Sequence, residues 1–309
     1  MVATRKRRRS LRVRFLVLVG VILGFTAIAP MLFADNIEPV VPMPTEEEAI
    51  VTERPLRQLD VVDEPASTTG LVPTNMADIV NAGYLALINR QHAISAEPDF
   101  SLLTSAWPAV PVSTIYGMYL HLTALRAVEE MFSSAREAGI GTLFVSSGFR
   151  GYERQTELYG GGANKAFVLP PGHSEHHTGL AMDILAVGIG MSEMANSAEG
   201  RWLADNSYRY GLILRYPDGA QDITGIEFEP WHFRYVGRPH AYFMRQNNLV
   251  LEEYIKLIQS YGSLSFEKNG VVYYVLHQVP QNGMINLPDK QNLIISSDNM
   301  GGYIVTAWR

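Results

Sequence analysis

PGHSEHHTGLAMD, residues 171–183, gathers three of the chain's eight histidines and closes on a carboxylate. Gly179 allows a turn. After it Leu180, Met182 and Ile184 alternate with Ala181, Asp183 and Leu185, the two-residue period of a β-strand. A strand this apolar belongs in the middle of a sheet, where an ionised Asp183 is costly unless something pairs with it. A metal ion is one such partner; an arginine or a histidine, with no metal, is another, and this stretch alone leaves both open. His173 reads as a loop histidine. His177 is out of phase with His176 and is expected to point away, although its imidazole makes it a rival ligand.

A second cluster lies downstream in EFEPWHFRYVG, residues 227–237. Glu229 and His232 are three apart and would face opposite sides of a regular strand. Pro230, which cannot join a ladder, favours a bulge or a point of chain arrival that brings both side chains to one site. His176, Asp183 and His232 would then offer nitrogen and oxygen to a metal and leave a fourth position open, the count of a catalytic rather than a structural zinc. Glu229, unligated, would accept a proton from water and pass it to a leaving amine.

Around these clusters the expected elements are a long helix from about Tyr116 to Ala138, with Met118, Leu122, Leu125, Phe132 and Ala135 on one face and Gly139 as its cap. TLFVSSGFR reads as a strand turning at Gly148, YERQTELY and EGRWLADNSYRY as helices, LILRYP and WHFRYV as strands, and 239–259 as two helices. YLALINRQH is a buried strand or a short connection. In the tail, Asn269-Gly270 between β-prone runs predicts a hairpin, and NLIISS and GGYIVTAW add strands. Trp231 is expected in the core. Arg215 and Arg234 either line an anionic cleft or pair with carboxylates, and Glu252 and Lys256 form a helical i,i+4 pair. His92, His121, His240 and His277 are structural or exposed. GGGANKAF lacks the pattern of a phosphate loop.

The chain has 309 residues, 47% of them hydrophobic, and no cysteine, so disulfides, thiol nucleophiles and thiolate metal sites are excluded. Residues 1–14 carry seven cationic side chains and no acid; taking that +7 from the net charge of −6 leaves −13 on the remainder. A body this acidic argues against nucleic acid as a partner. Residues 15–34 hold no charge and match one membrane-spanning helix with a cytoplasmic N-terminus. A cleavable signal peptide is the alternative, but neither Ala29 nor Ala34 ends a small-x-small site, so an uncleaved anchor is expected. Residues 35–75, rich in Pro and Glu, read as an extended linker. The expected division is therefore 1–14 tail, 15–34 anchor, 35–75 linker, 76–260 a folded domain that carries both clusters and 261–309 a small β appendage.

Taken together and in order, SSGFR, SEHHTGLAMD, LRYP and EPWHFRYVG resemble the VanY family of zinc D-alanyl-D-alanine carboxypeptidases, in the wider group of lysostaphin and the hedgehog signalling domain. The resemblance spans about Ala77 to Gln259 and implies an α+β fold with a central antiparallel sheet flanked by helices. It implies one zinc ion on His176, Asp183 and His232, Glu229 as general base, and Arg150 polarising the scissile carbonyl. Gln155 and Ser174 match positions contacting the terminal residue of the peptide. His177 stands where relatives often have glutamine. The implied reaction is removal of the terminal D-Ala from peptidoglycan stem pentapeptides, with a link to glycopeptide resistance and a catalytic domain outside a bacterial membrane. The alternatives are an L,D-carboxypeptidase acting on tetrapeptides, a D,D-dipeptidase, or a wall-binding module on the same fold.

Overall fold

A computed structural model describes residues 70–79, 81–94, 98–114, 117–289 and 292–308. The basic tail, the apolar segment 15–34 and the linker up to residue 69 lie outside them. Among the described residues no helix is long and apolar enough to cross a membrane.

The strand β1 (Leu71–Asn75) comes first, followed by the short pair β2 (Leu103–Ser105) and β3 (Tyr119–His121) and the helix α1 (Leu122–Glu137). The helix starts later than the apolar spacing predicts. Met118 and Leu120 are buried and Tyr119 between them is exposed, so this run alternates as a strand. β3 pairs with β2, His121 caps the helix by accepting the Thr123 N–H, and Leu122, expected on the buried face, is exposed. The true inner face carries Leu125, Val128, Met131, Phe132 and Ala135, and Gly139 takes the left-handed turn that ends it.

Next come β4 (Leu143–Ser147), α2 (Tyr152–Gly160), β5 (Ala181–Ala186), α3 (Ala198–Asn206), β6 (Leu212–Leu214), the single turn α4 (Gln221–Thr224) and β7 (His232–Tyr235). The four strands form an antiparallel sheet in the order β4–β5–β7–β6. Met131 and Phe132 of α1, Leu203 of α3, and Val145, Met182, Ile184 and Phe233 of the sheet share one core. Each such fully buried side chain contributes about 1.5–3 kcal/mol. Covered in this way, β5 is buried along nearly its whole length, so Asp183 is the anomaly that requires an explanation.

Two helices follow, α5 (Arg238–Asn247) and α6 (Leu251–Tyr261), and then β8 (Ser263–Lys268), β9 (Val271–Gln278), β10 (Met284–Pro288), β11 (Asn292–Ser297) and β12 (Tyr303–Trp308). The hairpin turn falls at Asn269-Gly270, both with positive φ, as a two-residue turn of this type requires. The second sheet runs β11–β12–β9–β8. Its Leu264, Phe266, Val275 and Ile304 form a common core with Phe243, Tyr254, Ile255 and Ile258 of α5 and α6. The last five residues expected to be linker form β1, which pairs with β10. Neither strand carries a strong sequence signal, because Pro73 falls inside β1 and Pro288 ends the short β10.

Candidate active site

Strand register builds the centre of the site. Asp183 on β5 lies directly opposite His232 on β7 and opposite Ser147 on β4. Glu229 reaches the same place because Glu229-Pro230-Trp231-His232 is a turn, closed by the His232 N–H donating to the Glu229 carbonyl at 3.1 Å. Pro230 presets the second position of that turn and keeps β7 from starting before His232. His176 comes from a tight turn, Glu175–Thr178, that ends at Gly179 with φ +68. The positive φ at Gly179 demands glycine, and a Cβ there would also crowd the His121 backbone nitrogen at 3.0 Å and Leu103 Cδ2 at 2.5 Å.

The three ligand-type atoms lie within 4.8 Å of one another, and all three residues are buried. His176 Nδ1 is 2.7 Å from the Gly148 carbonyl, an acceptor only, so Nδ1 carries the proton and Nε2 is presented, 3.5 Å from Asp183 Oδ1. His232 presents Nδ1, 3.0 Å from the same oxygen, and its Nε2 has no hydrogen-bond partner. One carboxylate oxygen between two imidazole nitrogens suits a cation, which would replace the proton shared there. The donor set fits zinc, with nitrogen and oxygen ligands, three from protein and one position open.

Burial pushes the His176 pKa down, reinforced by the Arg150 charge, which keeps the neutral imidazole that ligation needs. Burial opposes charge on His232 too, but the hydrogen bond to Asp183, the Glu175 carboxylate beside Nε2 and the charges of Asp183 and Glu229 raise it to about 9 as long as no metal is bound. Burial would raise Asp183, yet the two histidines overcome it and hold the carboxylate well below its usual range. Glu229 goes the other way. Burial lifts it to about 7, with Asp183 and Glu175 adding repulsion against the attraction of His232 and Arg150. Its Oε2 is 3.6 Å from His232 Nδ1. A carboxyl group near neutrality beside a metal-type site suits proton transfer.

These groups open into a cleft of about 230 Å³ also lined by Arg150, Gln155, Ser174, Phe167, Met191, Tyr216 and Trp231. Arg150 is held by Gln155 Oε1 at 2.9 Å and Ser147 Oγ at 3.0 Å. Gln155 commits its other amide atom to the Leu169 carbonyl. Trp231, expected in the core, is half-buried and lines the cleft near Phe167. His177 points away from the metal-type cluster, as its phase predicts. Its Nδ1 donates to the Arg150 carbonyl at 2.6 Å, its Nε2 accepts from the Gly172 N–H at 3.0 Å, and its ring stacks on Tyr152. A glutamine amide offers the same one donor and one acceptor, which accounts for histidine at this position. His173 is drawn off to the Asn89 carbonyl.

Sequence reasoning missed Glu175. Its carboxylate is buried beneath His232, with Oε2 3.6 Å from His232 Nε2 and Oε1 2.8 Å from Arg215 Nε and 3.0 Å from Arg234 Nη1. Burial alone would raise the Glu175 pKa, but the two guanidinium groups hold it well below the carboxylate range. Arg215 also grips Glu252 with two hydrogen bonds, so Glu252 serves this network rather than the helical pair with Lys256. Both arginines therefore pair with carboxylates and do not line an anionic cleft. The signal was available in the alternation of SEHH and LRYP but could not be read without knowing which strands adjoin.

The family model described as VanY, D-alanyl-D-alanine carboxypeptidase, matches residues 117–238. A D-alanyl-D-alanine carboxypeptidase of Enterococcus faecium is 34% identical over 235 residues, covering 74% of this chain and 76% of the relative. The crystal structure of the vancomycin-resistance D,D-dipeptidase VanXYg, in complex with a D-Ala-D-Ala phosphinate analogue, superposes with a TM-score of 0.66 at 27% identity, covering 77% of this chain and 98% of that one. The LD-carboxypeptidase LdcB is 40% identical with a TM-score of 0.51, covering 56% of this chain and 86% of that one.

Proposed function

The chain belongs to the VanY family of D-alanyl-D-alanine carboxypeptidases, and from that premise we propose that it is a zinc-dependent D,D-carboxypeptidase. It removes the terminal D-Ala from peptidoglycan stem pentapeptides. The observation that carries this reading is the convergence of His176 Nε2, Asp183 Oδ1 and His232 Nδ1 beside an unligated Glu229, in one cleft with Arg150.

Zinc bound by His176, Asp183 and His232 supplies Lewis-acid chemistry, lowering the pKa of a water and polarising a carbonyl. Glu229, ionised, accepts the proton of the attacking water and delivers it to the amine nitrogen as the peptide bond breaks. A pKa of about 7 suits both directions of transfer. Arg150, fixed by Gln155 and Ser147, offers its charge to the oxygen that becomes negative in the transition state. Gln155 anchors that arginine and Ser174 lines the cleft, so the pair shapes the pocket for the terminal residue. Residues 15–34 would anchor the protein in a bacterial membrane, with the described residues on the outer side where the stem peptides are. Trimming there would also remove the D-Ala-D-Ala ends that glycopeptides bind.

The likeness to LdcB at 40% identity supports a second reading, an L,D-carboxypeptidase acting on tetrapeptides. One assay separates the two. D-Ala release is measured from stem pentapeptide and tetrapeptide, with chelator and with zinc restored. Release from pentapeptide that is lost with chelator and regained with zinc is expected. Release from tetrapeptide alone transfers the assignment to the L,D reading, and zinc binding with release from neither leaves a wall-binding module.

A further inference from the structure

Two buried polar atoms without hydrogen-bond partners face each other beneath the site, Glu175 Oε2 and His232 Nε2, 3.6 Å apart. A gap of this size is too long for a hydrogen bond, yet closing it takes only a slight ring or carboxylate movement. Both residues are almost completely buried, Glu175 at 1% and His232 at 4% exposure. Leaving either atom unpaired would cost about 1–3 kcal/mol.

Glu175 is itself held by a closed set of charges. Arg215 Nε and Arg234 Nη1 approach Oε1, Arg215 binds Glu252 on α6, and Arg234 Nη2 donates to the carbonyls of Tyr84 and Ala86. Two carboxylates and two guanidinium groups cancel, so the network has no spare charge to neutralise elsewhere. Its free valence is Oε2, and the only described group standing against it in an ion-pair contact is the His232 ring. An acceptor there requires the His232 proton on Nε2, which leaves the Nδ1 lone pair facing Asp183 and the open centre.

We propose that Glu175, clamped by Arg215 and Arg234, is the positioning residue that fixes the tautomer and ring orientation of His232 for metal binding. The proposal rests on His176, Asp183 and His232 being the metal ligands. It assigns no contact with substrate to Glu175. Carboxylates behind ligating histidines raise metal affinity by about 10- to 100-fold, and the two buried arginines supply the charge that lets Glu175 stay ionised at this depth.

The test uses the purified full-length chain. Zinc affinity is measured by competition with a chromogenic chelator for the unaltered protein, Glu175→Gln and Glu252→Gln. Thermal midpoints are recorded with and without zinc. Glu175→Gln should weaken zinc binding about 10- to 100-fold and shrink the rise in midpoint that zinc produces. Glu252→Gln, at the far end of the network, should lower the midpoint with and without zinc alike and leave affinity within about threefold. Equal zinc affinity in Glu175→Gln and the unaltered protein overturns the proposal, whatever the loss of stability.

If Glu175→Gln does not fold, the unaltered protein decides. With ¹⁵N-labelled histidine and bound zinc, His232 should show a proton on Nε2 that exchanges slowly and a metal-shifted Nδ1. A proton on Nδ1 instead overturns the assignment. Failure of the unaltered protein to bind zinc at all would refute the ligand reading beneath the proposal, and is distinguishable from these outcomes.

Discussion

Glu229→Gln should stabilise the metal-free protein while abolishing turnover. Glu229 is only 5% exposed, and burial raises its pKa from 4.5 to about 7. Because the folded state holds this proton more tightly than the unfolded chain, the contribution of Glu229 to stability is complete below about pH 4.5. It is lost as the pH rises through about 7. At ~1.4 kcal/mol for each tenfold in proton affinity, ionised Glu229 costs the fold about 3 kcal/mol above neutrality. Glutamine mimics the protonated acid, so the variant should gain most of this at about pH 8 and almost none at about pH 4.5. For the roughly 230 described residues that is a rise of about 6–12 °C in thermal midpoint. Activity should fall by about 10²- to 10⁴-fold, the usual worth of a general base. Zinc affinity should stay within a few-fold, since Glu229 is not among the three converging ligand residues. The assays are chelator-treated thermal melts across pH, D-Ala release, and zinc competition. A variant no more stable than the parent at about pH 8, or one that keeps most of its activity, refutes the reasoning.

His176→Ala removes one of three ligand atoms and should lose zinc and D-Ala release together, measured by metal content after dialysis and by the same release assay. His177→Gln keeps one donor for the Arg150 carbonyl and one acceptor for the Gly172 N–H, so kcat/KM should change by less than about threefold. His177→Leu strands both partners and should cost about 2–4 kcal/mol in denaturant unfolding, with a fall in kcat as Arg150 shifts. Gly179→Ala must adopt φ +68 with its Cβ against Leu103, and should destabilise the fold by more than about 2 kcal/mol in the same unfolding measurement.

Short-range chemistry was legible in the residues themselves. Asn269-Gly270 announced its hairpin because two adjacent positive φ angles leave few other choices. Gly139 and Gly211 announced helix ends for the same reason. That Glu229 and His232 reach one site was readable because Pro230 cannot pair in a ladder, but the turn that brings them there is seen only in the structure. Elements with mixed signals were not. Residues 118–122 fit both a two-residue and a helical period, and only the pairing of β3 with β2 selects the strand. β1 and β10 each carry a proline and were hidden until they met.

The same division governs the site. By itself the sequence determined which groups could act: no thiolate, a spaced set of imidazoles and carboxylates, and a proline that gathers Glu229 and His232. These depend on covalent chemistry and on local backbone limits, which the residues carry with them. Only the tertiary structure decided the partners. The β5–β7 register sets Asp183 opposite His232, the desolvation of Glu229 depends on its neighbours, and Glu175 meets Arg215 and Arg234 across 40 and 59 residues of chain. Contacts of that separation, and the dielectric around them, exist only once the sheet has closed, because burial is a property of the packed chain and not of any residue in it.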